Sequence, residues 1–150
     1  MESVQKLTHI EHVLKRPDSY VGPVDLSTEA YWILNGNKSQ FEKKNLKYSP
    51  ALLKIFDEIL VNAIDRNSTH PKNVSSIAVS IDKETGAVTI ENNGPLGGIS
   101  VRMHEKEGIW NPELVFGHLL TSTNYDDSQK RIVGGRNGYG AKLIGIFNYH

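Results

Sequence analysis

The chain has 150 residues, with 17 Lys plus Arg against 17 Asp plus Glu, a formal net charge of zero, and no cysteine. A chain of this size can build one core. The charge balance gives it no overall pull toward nucleic acid or an anionic membrane, and the missing thiols exclude disulfides, a cysteine nucleophile and cysteine-held zinc. No apolar run reaches membrane-spanning length and "MESVQKLTHIEHVLKRPDSY" lacks the apolar stretch of a signal peptide, so the expectation is a soluble, intracellular protein with no membrane partner.

Leu7, Ile10 and Leu14 are spaced as the face of a short helix that ends before Pro17. "DSYVGPVD" reads as a turn and a short extended piece. "AYWILNGNKSQFEKKNLKYSP" reads as a hairpin about its "NGN". Pro50, favoured in a first turn, opens a helix over residues 51–66. "NVSSIAVSID" and "AVTIENN" alternate in period two around "KETG", a second hairpin. "GPLGGIS" is a glycine-rich loop and "PELVFGHLLTS" a helix. "TNYDDSQKRIVGGRNGYG" is a long polar and glycine-rich loop, and "AKLIGIFNYH" begins a last helix. This order predicts an α+β two-layer sandwich, with helices on one face of a mostly antiparallel or mixed sheet. Few strands are expected for such a sheet and none follows the last helix, so the domain reads as incomplete at its C-terminal end.

"FDEILVNAID", residues 56–65, divides into two faces. At about 100° per residue, Glu58, Asn62 and Asp65 fall within about 60° of one another. Leu52, Phe56, Ile59, Leu60 and Ala63 fan across the other side. The polar row is either a solvated helix face or a functional one. Asn62 favours function, because asparagine is a poor mid-helix residue unless it has a partner. An amide oxygen suits Mg²⁺ and a nearby carboxylate can take a proton from water. "TIENNGPLGG" sets Asn92 and Asn93 at a strand end before glycines. That is either ordinary turn chemistry or a strand end where an acidic or amide side chain can face the exocyclic amine of adenine, with glycines allowing close approach.

"GGRNGYGAK", residues 134–142, has four glycines in seven positions and leads into a helix. It is either a flexible loop or an anion site of backbone N–H groups, with Lys142 as the cation. The spacing is not that of a P-loop, because Ala141 separates Gly140 from Lys142 and Leu143 follows. No strand immediately precedes it, so it is not a dinucleotide fingerprint. His104 and His118 lack metal-ligand spacing and read as ordinary surface or core histidines.

Together, "FDEILVNAID", "ENNG", "FGHLLTSTNYDD" and "VGGRNGYGAKL" closely resemble the ATPase domain of type IIA DNA topoisomerases, of the eukaryotic and large-DNA-virus branch. "IEHVLKRPDSYVG" resembles that family's N-terminal segment, so the likeness spans nearly the whole chain. It implies the GHKL (Bergerat) ATPase fold, with a strap at residues 1–22, a nucleotide-binding core and ATP lid at residues 51–150, and ATP and Mg²⁺ as cofactors. It makes Glu58 the general base for the attacking water and Asn62 the residue that holds Mg²⁺. Asn93 would meet the adenine amine. Ser122, Thr123 and Asn124 would touch ribose and phosphate. Arg136, Asn137, Gly138, Tyr139, Gly140 and Lys142 would wrap the triphosphate, and Asp65 would support from behind. The activity implied is ATP binding and hydrolysis for the gate of an enzyme that passes one DNA duplex through another. The partners implied are DNA, through the full-length enzyme, and a second copy on ATP binding. The location implied is nuclear, or host cell or virion if viral.

The chain departs from the family in three places. "NNGPLGGIS" stands where the family has "NNGKGIP", with Pro95 and Leu96 added. Val4 stands where an aromatic residue often precedes "QK", which bears on strap exchange. The transducer domain with its γ-phosphate lysine and the cleavage machinery have no counterpart, and Tyr20, Tyr125 and Tyr139 do not match the cleavage tyrosine. The expectation is a fragment, or a short reading frame, that does not cut DNA alone and is poorly stable without nucleotide or a partner segment. The alternatives are a non-catalytic nucleotide-binding module and a GHKL ATPase of the chaperone or mismatch-repair kind.

Overall fold

The computed structural model describes residues 4–94, 98–121, 134 and 138–149. The chain forms two compact units, Met1–Lys54 and Ile55–His150.

In the first unit Thr8 opens α1, His9–Lys15. Its hydroxyl accepts the Glu11 N–H at 3.3 Å while the Glu11 carboxylate accepts the Thr8 N–H at 2.7 Å, a reciprocal cap that satisfies two otherwise orphaned donors. Val13 is the fully buried residue of this helix and Ile10 is largely exposed. A one-turn helix, α2 (Asp18–Val21), replaces the turn expected there. Pro17 lacks an N–H and so starts a helix readily, and its carbonyl accepts from Tyr20 and Val21, both at 2.9 Å. Strands β1 (Ser27–Leu34) and β2 (Phe41–Tyr48) pair antiparallel, with Leu34 opposite Phe41. Asn35 closes the turn by accepting the Ser39 N–H at 3.0 Å.

Helix α3, Pro50–Thr69, starts in this unit and continues into the second, ending beyond the expected residue 66. Strands β3 (Ile77–Ile81) and β4 (Val88–Asn92) form the second hairpin. Its register puts Ile77, Val79, Ile81, Val88, Ile90 and Asn92 on one face. Helix α4, Asn111–Gly117, is shorter than expected. Leu120 takes a left-handed φ of 62°, and the Thr121 hydroxyl donates to the carbonyls of Leu114 and His118, both at 2.9 Å. These bonds stop the helix by satisfying its last carbonyls from a side chain. Helix α5 is Gly140–Tyr149. Ala63, Val74 and Leu143 form the buried centre of this unit.

The mixture of helices and antiparallel strands is the α+β class expected. Among the described residues, β1–β2 and β3–β4 are separate two-stranded sheets rather than one. Large apolar residues consequently remain exposed, among them Leu52 at 69% and Ile81 at 64%. Among the described residues, no helix is long and apolar enough to cross a membrane.

Candidate functional site

Helix α3 sets the polar row in place. Glu58 and Asp65 are half-buried and Asn62 is exposed. The opposite stripe is covered unevenly: Ala63 is buried, Phe56, Ile59 and Leu60 are half-buried, and Leu52 is exposed.

Two glycines come down on this row. The Gly134 N–H donates to both oxygens of Asp65, at 2.9 and 3.0 Å. Gly140, the first residue of α5, lies against Glu58. A methyl group there would sit 2.1 Å from Glu58 Oε2 and 3.2 Å from Glu58 Cβ. Tyr139 is the start of that helix turn, its carbonyl accepting from Lys142 at 2.9 Å and Leu143 at 3.1 Å. The N–H groups of Gly140 and Ala141 precede these bonds, at the helix end that adjoins Glu58, an end that favours negative charge.

Lys142 is the buried charged residue of the described chain, 5% exposed. Its ammonium donates to the Thr121 carbonyl at 2.9 Å. Among the described residues no carboxylate pairs with it. Loss of water around it pulls its pKa below the ordinary lysine value. A buried cation held by one neutral carbonyl is undercompensated, and an anion would relieve that.

At the end of β4 the two asparagines separate. Asn93 closes the mouth of its hairpin: its Oδ1 accepts the N–H groups of Ser75 and Ser76 at 2.8 and 2.9 Å, and its Nδ2 donates to Ser75 Oγ at 2.9 Å. This differs from the expectation that Asn93 meets a base, because a strand alternates and residue 93 turns away from the helix-facing side. Asn92 is on that side, half-buried, donating to the Ala63 carbonyl of α3 at 2.9 Å. The sequence offers both amides and the family likeness points to Asn93, though the parity of Asn92 with Val88 and Ile90 is a usable signal for Asn92. The glycine that follows is committed too. Gly94 has a φ of 82°, and a methyl there would lie 1.7 Å from the Asn73 carbonyl oxygen.

Known proteins share both this sequence and this arrangement. DNA topoisomerase 2 of Penicillium chrysogenum is 50% identical over 147 residues, which are 98% of this chain and 9% of its own length. DNA topoisomerase 2 of Saccharomyces cerevisiae is 46% identical over 147 residues, 98% of this chain and 10% of its own. The crystal structure of the ATPase region of Saccharomyces cerevisiae topoisomerase II matches with a TM-score of 0.88 at 47% identity, covering 96% of this chain and 37% of that one. The chain belongs to the type II DNA topoisomerases, in their ATPase region. The ATPase and transducer domains of topoisomerase II from Balamuthia mandrillaris match with a TM-score of 0.86 at 51% identity, over 95% of this chain and 36% of that one. No family model matches. The chain spans about a tenth of the length of the curated topoisomerases it matches.

As a topoisomerase ATPase region, the chain carries the α+β GHKL fold expected from its motifs. Of the candidate residues, Glu58, Asn62, Asn93, Gly140 and Lys142 have the positions given above. Gly138, with φ 66°, and Tyr139 lead directly into α5. Ser122, Thr123, Asn124, Arg136 and Asn137, and the added Pro95 and Leu96, lie outside the described residues.

Proposed function

We propose that this chain binds ATP and takes part in its hydrolysis, as the nucleotide-handling part of an ATP-operated gate in a type II DNA topoisomerase. The observation that carries the proposal is Lys142, in the first turn of α5, a buried ammonium held by one carbonyl. That pairing of a cation with a helix N-terminus suits a chain of phosphates. Glu58 adjoins the same helix end, where a carboxylate can take a proton from water as it attacks the terminal phosphate. Asn92, the amide at the end of β4 that faces α3, is proposed to meet the base.

Magnesium fits the donor set. Among the described residues, no group of three or more His, Asp or Glu side chains could hold a metal. An ion carried largely by phosphate and water oxygens needs few donors from the protein. Asn62, exposed one turn from Glu58, is proposed to supply one of them. The bound ion would neutralise charge on the phosphates. Ser122, Thr123, Asn124, Arg136, Asn137, Gly138 and Tyr139 are proposed to complete the nucleotide contacts, on the family likeness.

For the full-length enzyme we propose DNA as substrate, pairing with a second copy when ATP binds, and a nuclear location, or host cell or virion for a viral source. The test of the site is a titration of the chain with Mg²⁺ and a non-hydrolysable ATP analogue, beside Lys142→Met and Asn92→Ala. Saturable binding that weakens at least tenfold in each variant is expected. A folded chain that binds no nucleotide would sink the proposal. Binding without turnover that depends on Glu58 would leave a nucleotide-binding module and remove the hydrolytic role.

A further inference from the structure

We propose that one face of the β1–β2 hairpin docks single-stranded DNA, a role separate from the nucleotide site. Residues paired across an antiparallel ladder share a face, and successive residues of a strand alternate between faces. The register therefore puts the pairs Thr28–Lys47, Trp32–Lys43 and Leu34–Phe41 on one face. It puts Glu29–Leu46, Tyr31–Lys44 and Ile33–Glu42 on the other.

The second face is satisfied from within. Ile33, Glu42 and Leu46 are half-buried. Tyr31 and Tyr48 meet edge to face, with ring centroids 5.4 Å apart and hydroxyls 2.5 Å apart. Both acids of the hairpin are on this side. Glu29 accepts from the Tyr31 hydroxyl at 3.2 Å, and Glu42 pairs with Lys44 at 2.6 Å.

The first face is exposed along its whole length. Trp32 and Phe41 are each 67% exposed, and large apolar side chains grouped on a surface mark a place of interaction. Its charges, Lys43 and Lys47, are both positive, although the chain as a whole has a net charge of zero. The partner that complements this face brings flat apolar rings and negative charge together. Unpaired DNA does so, because every base has a face on which an aromatic ring stacks and every linkage carries a phosphate. Trp32 and Phe41 are diagonal neighbours across the ladder, about 7–8 Å apart, which gives each ring its own base. A duplex keeps its base faces stacked on one another and would engage the lysines alone, as would an acidic peptide. The choice of DNA over RNA rests on the substrate proposed above; the stacking face does not.

The test is fluorescence anisotropy of a short labelled oligothymidylate with the 150-residue chain, at several salt concentrations, with and without excess ATP analogue. Saturable binding is expected in both conditions. Trp32→Ala and Phe41→Ala should each weaken it about tenfold, within the range for loss of one stacked base. The logarithm of affinity against that of salt should have a slope of about −1.4 for two lysines, falling to about −0.7 in Lys43→Ala. Lys44→Ala, on the opposite face, should leave affinity within about twofold, less than the loss of a stacked base. In Trp110→Phe, which leaves Trp32 as the sole tryptophan, emission should be quenched as the oligonucleotide binds.

No binding by a chain whose β1 and β2 amides are protected from exchange would overturn the proposal. So would equal losses in Lys43→Ala and Lys44→Ala, or displacement of the oligonucleotide by the ATP analogue, which would put it in the nucleotide site. Equal affinity for the annealed duplex or for polyglutamate would reduce the face to charge alone and reject it. Self-association of the chain that Trp32→Ala abolishes and the oligonucleotide does not displace would assign the face to a second copy instead. Tighter binding of oligouridylate would overturn the assignment to DNA, while losses in Trp32→Ala and Phe41→Ala would still report the stacking face.

Discussion

Gly140 and Glu58 occupy adjoining space. The position a side chain would take at Gly140 is 2.1 Å from Glu58 Oε2 and 2.9 Å from its Cδ. The carboxylate proposed as general base is thus confined by the first residue of α5. Because Glu58 Cβ is also near, at 3.2 Å, rotation of the carboxylate end would not relieve all of the crowding. Gly140→Ala should displace Glu58 while sparing the remaining phosphate contacts. The expected result is a fall in ATP turnover of about 10²-fold, within the range for loss of a general base, with analogue affinity changed by less than about threefold. Equal losses in Gly140→Ala and Glu58→Gln would support the relationship; full turnover in Gly140→Ala would refute it.

Lys142 predicts a dependence on pH. Its folded-state pKa is lowered by loss of water. The unfolded chain therefore binds more protons than the folded one between that lowered value and the ordinary lysine value of 10.5. Stability from this group should rise as pH increases across that window. Lys142→Met should abolish that portion of the slope. A bound triphosphate should shift the lysine back toward its ordinary value, so the slope should flatten with ligand. Urea denaturation at several alkaline pH values, with and without the ATP analogue, checks both statements.

Gly94→Ala should destabilise the second unit by at least about 2 kcal/mol, the scale of a left-handed backbone imposed on a residue with a Cβ plus a steric clash. The substitution meets a φ of 82° and a backbone oxygen at 1.7 Å, and backbone cannot swing aside as a side-chain end can. Gly86→Ala is the comparison: it has a φ of 73° and nothing within 4 Å. Its cost should be smaller, about 1 kcal/mol from the backbone alone. Denaturant midpoints of the two variants decide the matter, and equal costs would contradict it.

Asp82 should make the β3–β4 turn sensitive to acid. The Thr85 hydroxyl lowers its pKa most, followed by the backbone N–H groups of Glu84 and Thr85. The N–H bonds are 2.9 and 3.3 Å long. The stabilisation is present above the ordinary aspartate value of 3.8 and is lost as pH falls through the lower folded-state value. Exchange at the turn amides should accelerate in that acid range, and Asp82→Ala should show the faster rate at every pH.

Much of this protein was legible in one dimension. The i, i+4, i+7 row of Glu58, Asn62 and Asp65 and the alternation through Val88 and Ile90 are local periodicities, and backbone geometry turns them into a helix face and a strand face without help from distant residues. Both hairpins follow from turn residues next to alternating runs, and the family likeness followed from the order of the motifs. Local preference also had its limits. Pro17 started a one-turn helix where a turn was expected, and Thr121 ended α4 early by satisfying its carbonyls.

Tertiary structure decided the pairings between segments distant in sequence. Asn92 and Asn93 are chemically identical, and only contact with Ala63 on one side and Ser75 on the other gives them different occupations. Asp65 read as part of a polar row until the Gly134 N–H, 69 positions away, came onto it. Lys142 is an ordinary lysine in the sequence, made unusual by burial against the Thr121 carbonyl. Periodicity reports which way a side chain points. It carries no information about which distant backbone arrives there, because those contacts depend on the whole chain's packing and leave no trace in the spacing of nearby residues.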